Sequence, residues 1–186
     1  MVQIPAFETR EDYPHGVLPD GVHPCDEAAL RVVLGSGFEG SRTRGQICEG
    51  FINYRDRVGE YGISATQWID GSFVERKTDP ADVDVVSFCD YDALNDLVAS
   101  IHEVFLQLIA GGEATKPVFG THSFCVPSCP VGHPYRETFE ESRLYWRRWF
   151  GKTREIARPQ RPPLPGQPKG FLQMVIGDDA PIIEKD

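Results

Sequence analysis

Trp68-Ile69-Asp70-Gly71-Ser72-Phe73-Val74-Glu75-Arg76-Lys77-Thr78-Asp79-Pro80-Ala81-Asp82-Val83-Asp84-Val85-Val86 reads as an apolar strand, a Gly-Ser turn, a charged excursion and a second apolar strand. Asp82 and Asp84 are two residues apart, so in a strand both carboxylates leave on one face while Val83 and Val85 take the other. Two like charges in a mostly apolar strand are costly unless a cation compensates them. Hard divalent cations choose oxygen ligands and share them with substrate phosphates. The Gly71-Ser72 turn upstream offers backbone N–H groups and a hydroxyl that suit those phosphates.

A Gly-Ser pair, nine intervening residues and Asp-x-Asp within a hydrophobic run resemble the signature of the DNA polymerase β-like nucleotidyltransferase superfamily. The wording Gly-Ser-Phe-Val…Lys…Pro…Asp-Val-Asp-Val-Val is similar to that of small bacterial nucleotidyltransferase-like proteins grouped as a family of unknown function. The likeness is strong over residues 66 to 90 and loose elsewhere. It implies an α/β fold with a small mixed sheet flanked by helices. It also implies transfer of a nucleoside monophosphate from an NTP, ATP first among them, to a protein or RNA acceptor. Settings such as toxin–antitoxin or phage-defence modules follow from the resemblance alone, as does a cognate partner protein that supplies acceptor binding.

In such chemistry two magnesium (or manganese) ions about 4 Å apart clamp the attacking and leaving oxygens. Asp82 and Asp84 are the expected metal ligands. Gly71, Ser72, Arg76 and Lys77 are the expected phosphate contacts, although a loop Arg-Lys pair is also what a solvated turn carries. The superfamily adds a third carboxylate from a later strand. Here that strand is Val118 to Val126, and its inward group on the same face is His122. Imidazole is a poor magnesium ligand but can act as the base on an attacking hydroxyl. His122 can equally mark a degenerate site, which leaves a non-catalytic nucleotide-binding or protein-interaction module as the second reading.

Length and composition fit one soluble domain of 186 residues, 40% hydrophobic and 25% charged. The net charge of −9 argues against broad nucleic-acid binding. No apolar run approaches the ~20 residues that span a bilayer, and the N-terminus lacks signal-peptide regions. Five scattered cysteines, an odd number, read as free thiols in a reducing cytoplasm.

Residues 1 to 24, rich in Pro and Gly, read as an extended arm over the domain. Asp26 caps a helix with Ala29, Leu30, Val33 and Leu34 inward. A second helix from Ser41 carries Ile47, Phe51, Tyr54 and Val58 at helical spacing. Arg42 and Arg44 on it are either solvated or close to the triphosphate. A strongly apolar helix after Asp90 is expected to bury Leu94, Leu97, Val98, Ile101, Val104, Phe105 and Leu108. An aromatic helix spans about Tyr135 to Phe150. Its Trp146 and Trp149 read first as core and second as a base-stacking surface. The 151–169 connector, rich in Pro and Arg, resists regular structure. Phe171 to Ile176 offers a last strand, and the acidic 178–186 end reads as frayed.

Arg147, Arg148, Lys152, Arg154, Arg158 and Arg161 are the basic concentration of an acidic chain. They suit a triphosphate, an RNA end or an acidic protein. His122, Cys125, Cys129 and His133 offer four zinc-competent ligands. The strand puts His122 and Cys125 on opposite sides, however, and Pro127 and Pro130 restrict the loop.

Overall fold

Alternation along five strands creates two apolar faces, and both are covered. The computed structural model describes residues 2–11, 13–158 and 161–183. Strands Gly21–Pro24 (β1), Ala65–Asp70 (β2), Val83–Asp90 (β3) and Thr121–Ser128 (β4) join a C-terminal strand, Gly170–Ile176, in one sheet. Between β4 and that strand lie two short strands, Ile156–Arg158 (β5) and Arg161–Leu164 (β6), so the last sheet strand is β7. The order is β1-β7-β2-β3-β4, with β1/β7 and β3/β4 parallel and the other two pairs antiparallel. This is the mixed α/β architecture, a small sheet flanked by helices, that the sequence implies.

One face presents Ala65, Ile69, Val83, Val85, Cys89, Leu172 and Met174. Helices Glu27–Leu30 (α1) and Arg44–Gly59 (α2) cover it, together with a π turn at Arg31–Gly35. Asp26 caps α1 by accepting the Ala29 N–H at 2.7 Å. Ile47, Phe51, Tyr54 and Val58 of α2 are buried, as their spacing requires. The other face presents Trp68, Val86, Phe88, Val126 and Phe171. It packs against Phe139 and Phe150 of the helix Arg136–Phe150. That helix is α6, after the short α3 (Tyr91–Asn95), α4 (Ala99–Ile109) and α5 (Lys116–Phe119). Truncating a side chain as enclosed as Phe88 or Phe105 would cost roughly 3–5 kcal/mol.

Five sequence expectations change. The N-terminal arm ends as β1, and Val17 and Leu18 are fully buried. The single helix after Asp90 is two, because Val98 is extended (ψ 138°) and caps α4. The restart rotates the inward stripe onto Phe105 and Ile109, leaving Val98, Ile101 and Val104 at 67%, 41% and 50% exposure. The strand expected from Val118 begins at Thr121, since Pro117 opens α5 and Gly120, at φ +64°, ends it. The 151–169 connector contains the β5–β6 pair, whose intervening residues 159–160 lie outside the described residues. The acidic end is packed as far as Ile183, which is 6% exposed in the second cluster, while 184–186 lie outside the described residues.

Candidate functional site

Asp70 of β2, Asp84 of β3 and His122 of β4 are register partners in one row across the sheet. Register partners share a face, here the face that carries Trp68, Val86 and Phe124 in the next row. Nδ1 of His122 lies 3.1 Å from Oδ1 of Asp84, and both side chains keep partial access to solvent. Burial, and then the charge of Asp82, push the Asp84 carboxyl above its usual range, with His122 pulling the other way. Asp82 is the residue before β3 and not within it, although it keeps the side of Asp84 closely enough to raise its proton affinity.

The Gly71 turn is built against this row. Gly71 has φ +84°, and a Cβ there would stand 2.4 Å from Oδ2 of Asp84. Only glycine allows the backbone so close to the carboxylate. Ser72 is half-buried at the start of a 3-10 turn whose Phe73 and Val74 are buried. Arg44 holds the loop that follows. Its fully buried guanidinium donates to the carbonyls of Leu34 (3.1 Å), Phe73 (2.8 Å), Glu75 (2.5 Å) and Lys77 (2.7 Å). It also sits 3.5 Å from the centre of the Phe38 ring. Burial lowers its pKa to about 10. With its donors spent on carbonyls, Arg44 fixes the loop and has none left for a phosphate. Arg42 likewise serves the loop, its backbone N–H donating to Asp79 at 2.7 Å. Arg76 is exposed, and its backbone N–H donates to Gly16 at 2.7 Å. Lys77 is half-buried.

Lys116 is part of the site without any sequence signal to announce it. Its ammonium lies 2.7 Å from Oδ2 of Asp82 and 3.1 Å from Glu113. The hydrogen bond to Asp82 holds the lysine pKa above its usual value. Asp70 and Lys169 were also missed. Lys169, 3% exposed, stands 3.0 Å from Asp70 and 2.7 Å from Glu75. Glu75 also accepts from the Tyr13 hydroxyl at 2.7 Å. Desolvation raises Asp70 to about 7, against the pull of Lys169. Burial would depress the lysine, but its two carboxylates more than offset that and hold it above the usual lysine range. An acid closing an apolar strand beside Gly71 is a signal that could have found Asp70. Lys169, in a Pro-rich connector, offers none.

Among the described residues no group of three His, Cys, Asp or Glu side chains is gathered to hold a metal ion. Asp82 and Asp84 supply two carboxylates on one side, and Asp84 carries an incompletely compensated charge. That set fits magnesium, which typically takes one or two protein carboxylates and completes its shell with water and phosphate. It fits zinc poorly. The His122, Cys125, Cys129, His133 quartet is not brought together. His122 packs on Phe124 on one face, Cys125 lies against the opposite core, Cys129 is buried, and His133 packs on Tyr91. The aromatic helix divides. Trp146 packs on Phe124 and Phe150, whereas Tyr145 and Trp149 are 54% and 64% exposed.

The model of a family of unknown function (DUF6932) matches residues 11–175, which include every residue of the site. No curated protein and no solved structure matches the chain. Among the described residues no helix is long and apolar enough to cross a membrane.

Proposed function

We propose that this chain, which belongs to the family of unknown function DUF6932, is a metal-dependent nucleotidyltransferase. It moves a nucleoside monophosphate from an NTP, ATP first among them, to a hydroxyl of a protein or RNA acceptor. The observation that supports this best is the seating of the Gly71 turn directly on Asp84, beside Asp82 and His122. Asp82 and Asp84 would hold magnesium or manganese, which when bound would neutralise phosphate charge and stabilise the leaving oxygen. Ser72 and the turn amides hold the β- and γ-phosphates. Asp84 accepts from Nδ1–H of His122, which leaves Nε2 to take the acceptor's proton. The acceptor oxygen bonds to the α-phosphorus, the bond to the β-phosphate oxygen breaks, and pyrophosphate leaves.

Incubation with labelled NTPs, magnesium or manganese, and protein and RNA fractions tests the reading. Label that appears on an acceptor and is lost in Asp82→Ala and Asp84→Ala supports it. Two observations favour the second reading, a catalytically degenerate nucleotide-binding or interaction module. His122 stands in the row where an acid was expected, and Lys116 already pairs with Asp82. Nucleotide binding without transfer would select that module.

A further inference from the structure

A continuous line of rings runs from the candidate site onto the outer face of α6. His122 to Phe124 is 4.4 Å between ring centres, and Phe124 to Trp146 is 4.5 Å. Trp146 to Tyr145 is 5.3 Å, and Tyr145 to Trp149 is 6.2 Å. The first three rings are half-buried, and the last two are exposed and nearly parallel at 13°. Core packing does not explain the outer pair. Tyr145 and Trp149 line an open groove of about 480 Å³ with Leu144, Glu141, Arg148 and Lys152. Arg148 and Lys152 are exposed, in a chain whose net charge is −9. Cations beside parallel exposed rings on an otherwise acidic protein are complementary to one chemistry, a phosphate backbone bearing flat bases.

We propose that the outer face of α6 binds single-stranded nucleic acid, its bases stacking on Trp149 and Tyr145 and its phosphates meeting Arg148 and Lys152. The aromatic line then leads a strand end towards His122 and the carboxylates. Its role as acceptor track rests on the nucleotidyltransferase reading, but binding itself does not. The net negative charge keeps the interaction local, so broad duplex binding is not expected.

Anisotropy of fluorescein-labelled adenine and uracil octamers, as RNA and as DNA, tests this at about 50 mM salt. Saturable binding that weakens with salt is expected. Trp149→Ala and Tyr145→Ala should each weaken it about tenfold. Arg148→Glu should weaken it and lower the salt slope by about one. Asp84→Asn should bind as the parent does even if it abolishes transfer, so failure of the catalytic reading and of this one are told apart. A ribose or deoxyribose preference identifies the source of the strand. The proposal is overturned by absence of saturable binding, or by binding that Trp149→Ala leaves unchanged. Self-association of the parent that Trp149→Ala removes would overturn it too, by giving the face to a second copy of the chain.

Discussion

Asp84 and His122 are partners across the parallel β3–β4 pair, with Oδ1 and Nδ1 3.1 Å apart at the end of the sheet where the Gly71 turn closes. This contact fixes which imidazole nitrogen faces the substrate side. An uncharged His122 that donates from Nδ1 offers Nε2 as an acceptor. His122→Gln keeps a hydrogen bond to Asp84 but removes the base. In the proposed transfer it should cut kcat by about 10²–10⁴-fold while leaving nucleotide affinity unchanged. A loss of nucleotide affinity with kcat unchanged would assign His122 to positioning alone.

Gly71→Ala tests the closeness of turn and carboxylate. The new methyl would need to occupy a point 2.4 Å from Oδ2 of Asp84, at a backbone φ of +84°. The backbone conformation alone costs on the order of 1–3 kcal/mol, and the contact requires the Asp84 carboxylate or the turn to shift. Urea denaturation should show at least that loss. Nucleotide affinity, read by titration calorimetry, should fall with it, because relief of the clash displaces Asp84 or the turn.

Arg44→Met should destabilise the chain by about 3–5 kcal/mol, since it leaves four carbonyl groups, three of them in buried hydrogen bonds, without their donor. Arg44→Lys should recover little of this. One ammonium cannot reach donors spread over Leu34, Phe73, Glu75 and Lys77, nor stack as a plane on Phe38. Guanidinium-chloride melts of the three proteins decide it, and full rescue by lysine would show that charge rather than the planar fork is what the loop requires.

Asp70 gives the stability curve a distinctive sign. Its carboxyl is raised to about 7 in the folded chain. Between roughly pH 4 and pH 7 the unfolded chain has already released this proton while the folded chain still holds it. Stability therefore falls as pH rises through that window, by up to about 1.4 kcal/mol per unit from this group. Asp70→Asn removes the contribution. The stability difference between parent and variant should shrink from pH 4 to pH 7, measured by urea denaturation at stepped pH. A difference that stays flat from pH 4 to pH 7 would mean that Lys169 keeps Asp70 ionised throughout.

How far the site was readable follows from how each residue is held. The strand alternation that puts Asp84 and His122 on one face is local, so a period-two reading of β3 and β4 reaches both, while Asp82 lies just before β3. Its own helix makes Arg44 look solvated or phosphate-facing, because its surroundings come from Leu34 and from the 73–77 loop, neither of which lies on that helix. The same applies to Lys169, which meets Asp70 and Glu75 across about a hundred residues of chain. Helix α4 misled for a different reason. Its apolar spacing is continuous through Val98, but the backbone is not, and a break of three residues, Asp96 to Val98, turns the buried stripe.

Lys116 makes the final prediction, because it occupies the same carboxylate that a metal would need. The ammonium lies 2.7 Å from Asp82 and is about one-third exposed, so swinging it into water costs little. A cation that binds Asp82 must share the carboxylate with Lys116 or displace it. Lys116→Met leaves Asp82 without that partner and adds like-charge pressure on Asp84, and both effects favour an incoming divalent ion. Manganese affinity, followed by electron paramagnetic resonance of the free ion, should therefore tighten several-fold in Lys116→Met and vanish in Asp82→Ala/Asp84→Ala. If instead Lys116→Met weakens manganese binding, Lys116 organises the site rather than competing for it. If neither parent nor variant binds the ion at millimolar concentration, magnesium-type chemistry at Asp82 and Asp84 is wrong, and the interaction-module reading takes its place.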